Sequence, residues 1–540
     1  MAGINFGGLS SGLDTNLIIE SLLVNQQKRV DGINTLISQG ESRKRGLNDV
    51  KGALGRFDTI LEDLGKAAFG NRKITSGDEK IITASADENS SLGDHEITVN
   101  NLASRSVVTV GQAQASASAV IGAGTLNLNF NGASSLSVTL SDAGSTLADL
   151  SNAINDQHGD TVQASIVEVS SGSFQLVLSA KETGASLNIK DETDGASASS
   201  ITGFDGTFLD AGQVNSGGIT RTQAGEDAQI VLDGITISRS SNEIDDVLDG
   251  VTLTLKGEST GSATSLKIDT NFDEITKQVD EFVKGYNDVL TQIDRVTNPE
   301  SGVLKGDPDL RGLRNRLQSQ ITRFVPNITT FNSRDDGTDG FSSLSQLGFK
   351  SDQKTGQLTL DKTEFKEALE DHFEEISNLF LGKSTTSNQD IEIVANSGAA
   401  FSGQVSLDAT NDTATIDGVT YNLERKNNSL TFAKGSTYEG ITFYDGSSGT
   451  GSATLDVASG IAALLEDETE RFSSFSGVIS DRISTIDNRK RGFEDQLDRA
   501  NSRLDSERTR LTAVFAKAEQ AISSLQGLQA SLGAQSQIKF

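Results

Sequence analysis

Apolar residues near the C-terminal end of this chain stand at Phe493, Leu497, Ala500, Leu504, Leu511, Phe515, Ala518, Ile522 and Leu525, in steps that mostly alternate four and three. One slot is polar, Glu507, and one extra step of four separates Leu511 from Phe515. A stripe of this kind is close to a heptad repeat, and it needs a partner helix to cover it. Charges of both signs flank it, among them Asp498, Arg499, Arg503, Asp505 and Arg508. Charges at such positions set register and partner choice. Neither Pro nor Gly interrupts the run from Phe493 until Gly527.

The other end of the chain supplies a partner. Leu13, Leu17, Ile18, Leu22, Val30, Ile33 and Ile37 form a helical stripe behind Asp14, a residue suited to cap a helix. A second run, Leu47, Val50, Leu54, Phe57, Leu61 and Leu64, steps three, four, three, four, three. Pairing the two ends would bury both stripes, so a terminal coiled coil is expected. Residues 1–12 are Gly- and Ser-rich and read as flexible. Their glycines follow no strand and lack the Lys-Ser/Thr ending of a phosphate loop.

Between the ends the period changes. After Gly77 it switches from helical to two, through Ile97 and Val99, Leu126 to Phe130, and Leu136 to Leu140. Leu147 to Ile154 reads as one short helix, and strands resume from Val162. Asp233-Gly234 is a tight hairpin turn between Ile230–Leu232 and Ile235–Ile237. Residues 85–269 are thus a β region of one or two domains. Helices return at Phe272, and Asp307-Pro308 starts another, with Asp as cap and Pro in the first turn. Asp361 precedes a further helix with capping-box spacing to Glu364. Residues 385–457 return to a β pattern. Their Asp417-Gly418 turn and Gly440-Ile-Thr-Phe repeat the arrangement of Asp233-Gly234 and Gly250-Val-Thr-Leu. This block reads as a smaller β domain inserted between helices.

Composition narrows the function. Lys+Arg is 46 and Asp+Glu is 75, a net charge of −29. So acidic a chain is not expected to bind nucleic acid, which is held by Lys and Arg neutralising phosphate. Zero Cys excludes disulfides and thiolate metal sites. No window of about 18 apolar residues exists, so no membrane insertion is expected. The first residues lack the basic region and apolar core of a cleavable secretory signal. His95, His158 and His372 are far apart in the sequence, with no neighbouring ligand cluster. Gly8-Leu-Ser-Ser-Gly12 and Gly257-Glu-Ser-Thr-Gly261 match a nucleophile elbow in letters, but neither has the strand before and helix after that the elbow needs. Asp335 to Gly340 lacks the third-position ligand and closing Glu of a calcium loop. No catalytic residue, cofactor site or metal site is assigned, and the chain is not read as an enzyme.

Five stretches in order resemble one family. They are Gly8-Leu-Ser-Ser-Gly-Leu-Asp14; Ala228-Gln-Ile-Val-Leu-Asp-Gly-Ile-Thr-Ile237 with Asp249-Gly-Val-Thr-Leu-Thr-Leu255; Gly306-Asp-Pro-Asp-Leu-Arg311; Leu347-Gly-Phe-Lys-Ser-Asp352 with Gly356-Gln-Leu-Thr-Leu-Asp361; and the charged C-terminal helix with Phe515. Together they resemble the bacterial flagellar filament cap proteins, the hook-associated protein 2 family. The block 385–457 departs from the shortest family pattern.

The resemblance implies an α+β multidomain fold with a terminal α-helical coiled-coil leg (1–42 and 495–540). A helical support domain (43–84, 270–384 and 458–494) and antiparallel β-rich outer domains (85–269) would complete it, with 385–457 inserted. It implies a ring-forming homo-oligomer at the flagellum tip that promotes flagellin insertion and retains flagellin monomers. The implied partners are further copies of the chain, flagellin, hook–filament junction proteins and a flagellar export chaperone. The implied location is extracellular, reached by the flagellar type III route without a cleaved signal. Leu13, Leu17, Leu22, Phe493, Leu497, Leu504, Leu511, Phe515, Ile522 and Leu525 would be the oligomerisation and filament contacts. Two other classes fit parts of the sequence: an adhesin whose β domains recognise a surface, and another axial flagellar protein such as a hook–filament junction protein.

Overall fold

A computed structural model of the chain describes residues 14–131, 135–190, 198–199, 201, 219–334, 340–389, 391–396, 400–445 and 450–536. The α+β multidomain fold expected from the sequence is observed. The chain forms two compact units: Met1–Ala68 with Phe272–Phe540, and Phe69–Asn271.

The first unit is built on two long helices. Thr15–Asp63 opens with Asp14, whose side chain accepts from the Leu17 amide at 3.1 Å. The two apolar runs read from the sequence therefore lie on one unbroken helix. Its second half is core. Leu47, Val50, Leu54, Phe57 and Leu61 are each at most 1% exposed. They pack on Phe272–Thr297, whose inner face carries Val279, Phe282, Tyr286, Val289 and Ile293. Gly285 permits that approach, since a Cβ there would stand 2.8 Å from Ile60 Cδ1 and 3.0 Å from Phe57 Cδ2.

Aromatic rings extend the contact. Phe57 meets Phe282 and Tyr286 at 5.7 and 6.2 Å between centroids, Phe282 meets Phe380 at 6.2 Å, and Phe380 meets Phe365 at 6.3 Å. Each tilted or edge-on pair adds about 0.5–1.5 kcal/mol beyond the area it buries. Pro308–Thr322 starts at Asp307, which accepts from the Asp309 and Leu310 amides, and Lys362–Asp371 starts at Asp361 in the same way. The Asp307 carboxylate also takes Arg482 at 2.7 Å, and Asp309 takes it at 2.9 Å. That pair ties the start of the last helix, Val478–Ser536, to the helical body. A separate helix, Ile461–Ser473, precedes it, so the C-terminal helical region is two helices rather than one.

The β block of this unit is one antiparallel sheet. Its order is Gly382–Thr386, Thr450–Ser459, Phe401–Asp408, Thr413–Ile416, Val419–Lys426, Ser429–Phe432, Ile441–Asp445 and Ile391–Asn396. The first and last of these are consecutive in the chain, so the sheet wraps its own core of Phe401, Val405, Leu407, Leu430, Phe432 and Phe443.

The second unit holds two separate cores. In one, the sheet Arg72–Ser76, Thr264–Thr270, Gly93–Asn101, Ala228–Leu232, Ile235–Arg239 packs with the sheet Glu243–Leu248, Val251–Leu255, Ile82–Ala86 around Ile97, Val99, Ile230, Leu253 and Leu266. Strands Arg72–Ser76 and Ile82–Ala86 lie upstream of Ile97, where alternation first becomes visible in the sequence. Their partners, Thr264–Thr270 and Val251–Leu255, stand far downstream, so residues 72–84, expected in the helical support domain, belong to the β unit instead. In the other, Thr220–Gln223, Val107–Gln114, Ser173–Ala180 and Val162–Ser170 form one sheet, and Ser135–Leu140, Gly124–Asn129 and Ala198–Ser199 another. Helix Leu147–His158, started by a Thr146–Asp149 capping box, covers that core. Asn155 fixes it to a strand through both the amide and the carbonyl of Ala164.

Both Asp-Gly turns form as expected. Asp233 and Gly234 have φ of 52° and 85°, and Asp417 and Gly418 have 50° and 80°. Two successive left-handed residues are what a tight hairpin requires. The folds around them differ: the later turn sits inside the eight-stranded sheet, the earlier one at an edge of a five-stranded sheet.

Candidate assembly site on the terminal helices

Thr15–Asp63 packs against Val478–Ser536 from its start as far as Lys51. Glu20 meets Arg508 at 3.2 Å, Glu41 meets Lys490 at 2.5 Å, Lys44 meets Asp487 at 2.7 Å and Lys51 meets the Ser480 hydroxyl at 2.7 Å. One number rises as the other falls, so the helices are antiparallel in a steady register. The seam is small. Ile19, Leu23, Val30, Leu504 and Leu511 are buried, with Leu497, Ala500 and Phe515 packed partly against them. The polar slot at Glu507 is turned outward to Arg510, 2.6 Å away. That hydrogen bond holds the Glu507 carboxyl below the usual carboxylate range, and Lys490 does the same to Glu41. These pairs are open to water and set register more than stability.

The sequence-derived stripe divides on this framework. Leu497, Leu504, Leu511 and Phe515 are in the seam. Phe493 is half-buried beside Leu36 and Arg489, and Ile522 is half-buried. Leu17 and Leu22 are 64% and 53% exposed and face away from the seam, where Ile19 and Leu23 stand instead. Leu13 lies outside the described residues. The reason is local. Leu17-Ile18-Ile19 and Leu22-Leu23-Val24 are apolar at consecutive positions, so composition does not choose a face. Counting back by heptad from Val30 does choose: 30, 26, 23, 19.

The register sets Thr15 about level with Phe515. The last helix therefore continues for roughly twenty residues, on the order of 30 Å at 1.5 Å per residue, without a partner among the described residues. On that overhang Leu525, Leu528 and Leu532 are 67%, 60% and 60% exposed.

The polar residues examined for chemistry have structural settings. His95 Nδ1 lies 2.8 Å from Asp233 Oδ2 at the first Asp-Gly turn. His158 contacts the Ser137 carbonyl at 3.2 Å, and His372 lies 3.3 Å from Glu375. Among the described residues no group of three or more His, Asp or Glu side chains is placed to hold a metal ion. No helix there is long and apolar enough to cross a membrane. Residues 8–12, and 335–339 of the stretch 335–340, lie outside the described residues.

A multidomain α+β chain whose two ends close into an antiparallel coiled coil, with an apolar overhang that no described residue covers, defines an assembly protein. Comparisons with known proteins give the family. A model described as flagellar hook-associated protein 2 N-terminus matches residues 11–106, and one described as flagellar hook-associated protein 2 C-terminus matches residues 225–527, more than half of the chain. The chain is 28% identical over 401 residues to the B-type flagellar hook-associated protein 2 of Pseudomonas aeruginosa, covering 71% of this chain and 81% of that one. It is 27% identical over 405 residues to the flagellar hook-associated protein 2 of Aeromonas caviae, covering 70% and 82%. The crystal structure of the D1-D2-D3 domains of the Escherichia coli flagellar cap protein aligns over 82% of this chain and 99% of its own, with TM-score 0.56. At 21% identity that likeness is one of fold. The chain belongs to the flagellar hook-associated protein 2 family and is a flagellar filament cap protein. The second core of the β unit falls between the two matched stretches, and the eight-stranded sheet lies within the C-terminal one.

Proposed function

We propose that this cap works as a homo-oligomeric ring at the distal tip of the filament, where it promotes insertion of flagellin and retains flagellin monomers. The role is structural, without catalysis. Labour follows the segments read from the sequence. Residues 1–42 and 495–540 seat on the filament end and the helical support segments carry them; of the expected support segments 43–84, 270–384 and 458–494, residues 69–84 and 270–271 belong to the β unit instead. Residues 85–269 are the β-rich domains and 385–457 an added module. The proposed contact residues are Leu13, Leu17, Leu22, Phe493, Ile522 and Leu525; Leu497, Leu504, Leu511 and Phe515, expected among them, lie instead in the seam within the protomer. Hook–filament junction proteins precede it on the axis. The route is the flagellar type III channel, with an export chaperone on the terminal helices.

The observation that supports this reading is the overhang beyond Phe515. Its leucines face water in the protomer, and solvent-facing apolar stripes on a helix call for a partner. A strain lacking the protein should shed flagellin into the medium and fail to swim. Complementation with a chain ending at residue 516 should not restore filaments, while electron micrographs of the full-length protein should show rings. Normal filaments in the null strain would sink the reading. Hydrogen exchange over 517–532 should be fast in the monomer and slow in the ring; equal protection in both would remove the overhang from the contact.

A further inference from the structure

The two sides of the terminal coiled coil carry opposite charge. On one side two grooves open along the seam. The larger, about 770 Å³, is lined by Arg29 of the first helix and by Arg499, Arg503 and Arg510 of the last. The smaller, about 210 Å³, is lined by Arg43 and Arg489. Arg510 is engaged by Glu507. The other five arginines are solvent-exposed and form no ion pair among the described residues. Arg499 and Arg503 are four apart on one helix face, an arrangement in which like charges repel. In a chain of net charge −29, five arginines line one side of the seam without an ion pair among the described residues, and Glu507, engaged by Arg510, is the acidic side chain that lines the larger groove with them.

The other side of the same seam is acidic. An α-helix turns about 100° per residue. Arg503 therefore falls to one side of the Leu497–Ala500–Leu504 seam, and Glu494, Asp498 and Asp505 fall to the other. Asp498 and Asp505, one heptad apart, are exposed and unpaired among the described residues. Arg491 and Arg508 interrupt this side, and Arg508 is engaged by Glu20.

Two copies cannot satisfy these sides by meeting with equivalent surfaces, because basic would face basic. They are satisfied when the basic side of one copy meets the acidic side of the next. Repeated in one sense, such a heterologous contact generates a ring where the rotation between copies closes, and an open filament where it does not. We infer that the arginine-lined side of the terminal coiled coil docks the Asp498–Asp505 side of a second copy of this chain, so that neighbouring copies contact head to tail. The inference rests on the ring reading and names the surface that closes it.

The test uses the full-length protein, with ring content followed by sedimentation velocity in low salt and at about 1 M salt, where the Debye length falls to about 3 Å. Three variants are compared: R499E/R503E, D498R/D505R and the combination of all four. None of these side chains has an ion-pair partner among the described residues, and circular dichroism checks that each variant folds. If a reversal unfolds the helix, R499Q/R503Q replaces it. Each double reversal should raise the concentration for half-assembly by about tenfold or more, and the quadruple swap, which restores complementarity, should recover assembly. High salt should weaken the wild-type ring and spare the doubles further loss. Double variants that assemble like wild type, with the same salt dependence, overturn the inference and leave the ring reading intact. Doubles and quadruple that all fold but fail to assemble show that the arginines meet some other acidic surface, which also overturns it. A wild-type protein that is monomeric throughout removes both readings together.

Discussion

The two halves of the first helix follow nearly the same apolar period and do different work. From Leu47 to Leu61 every inner side chain is enclosed, against an aromatic face on Phe272–Thr297 and close to Phe380. From Thr15 to Ile37 the inner face is thin. Ile19, Leu23, Val30 and Ile33 are buried, Gln26 stands in the row between them, and a single partner helix covers one side. A two-helix contact leaves most of each helix in water, so it buries few side chains at the about 1.5–3 kcal/mol that each full burial is worth. The difference teaches that a heptad pattern specifies which side of a helix is sticky, not how many neighbours that side will acquire. The half with several neighbours is scaffold. The half with one is the part free to exchange partners.

The largest effect is expected from Phe57→Ala, which empties a fully enclosed site in contact with Phe282 and Tyr286. A loss of about 3–5 kcal/mol is expected, read as a drop of the main unfolding transition in calorimetry. A drop under about 1 kcal/mol would mean that the helical body is far looser than its packing.

Leu504→Ala comes next. About 2 kcal/mol should be lost from the terminal coiled coil, visible as earlier loss of helical ellipticity, while the main transition keeps its midpoint. If the main transition moves as far as it does in Phe57→Ala, the two halves are one cooperative unit and the contrast fails.

Tyr286→Phe should go the other way. The Tyr286 hydroxyl is buried without a hydrogen-bond partner among the described residues, and burial pushes its phenol well above the ordinary range. Removing a hydroxyl of this kind relieves a desolvation cost of about 1–3 kcal/mol, so denaturant melts should show equal or greater stability. A clear destabilisation would reveal a partner for that oxygen.

The smallest effect is in pH. Glu41 is held below its usual carboxylate range by its hydrogen bond and charge attraction to Lys490. A depressed carboxyl stabilises the fold above its unfolded pKa of about 4.3, and the contribution disappears as pH falls through the lower folded value. Acid titration by hydrogen exchange should therefore loosen residues 37–44 and 487–494 only below about pH 4. In Glu41→Gln that step should be absent. A loosening centred near neutrality would point to another group.

Much of the fold was legible because it is written in local chemistry. Asp14, Asp307 and Asp361 cap the helices that follow them, and Asp233-Gly234 and Asp417-Gly418 make the turns their residue types favour. The switch from period 3.6 to period 2 separated helical from β regions. Strands Arg72–Ser76 and Ile82–Ala86 escaped notice because neither is patterned strongly by itself. They are strands because Thr264–Thr270 and Val251–Leu255 pair with them. On the last helix the seam was legible at Leu497, Leu504, Leu511 and Phe515. On the first it was displaced onto Leu17 and Leu22, because three consecutive apolar residues offer more than one face.

By itself, the sequence determined that both ends of this chain are helices with an apolar side, and that the family motifs stand between them in order. Period, caps and turn residues act over a few positions, and no distant contact is needed to read them. The tertiary structure decided what pairs with what: Ile19 and Leu23 inward and Leu17 and Leu22 outward, one half of a helix enclosed and the other half with a single neighbour. It also decided that arginines and aspartates interleaved in the sequence separate onto opposite sides of one seam. The physical reason is that a face is defined by the surface that covers it, and that surface comes from residues more than four hundred positions away.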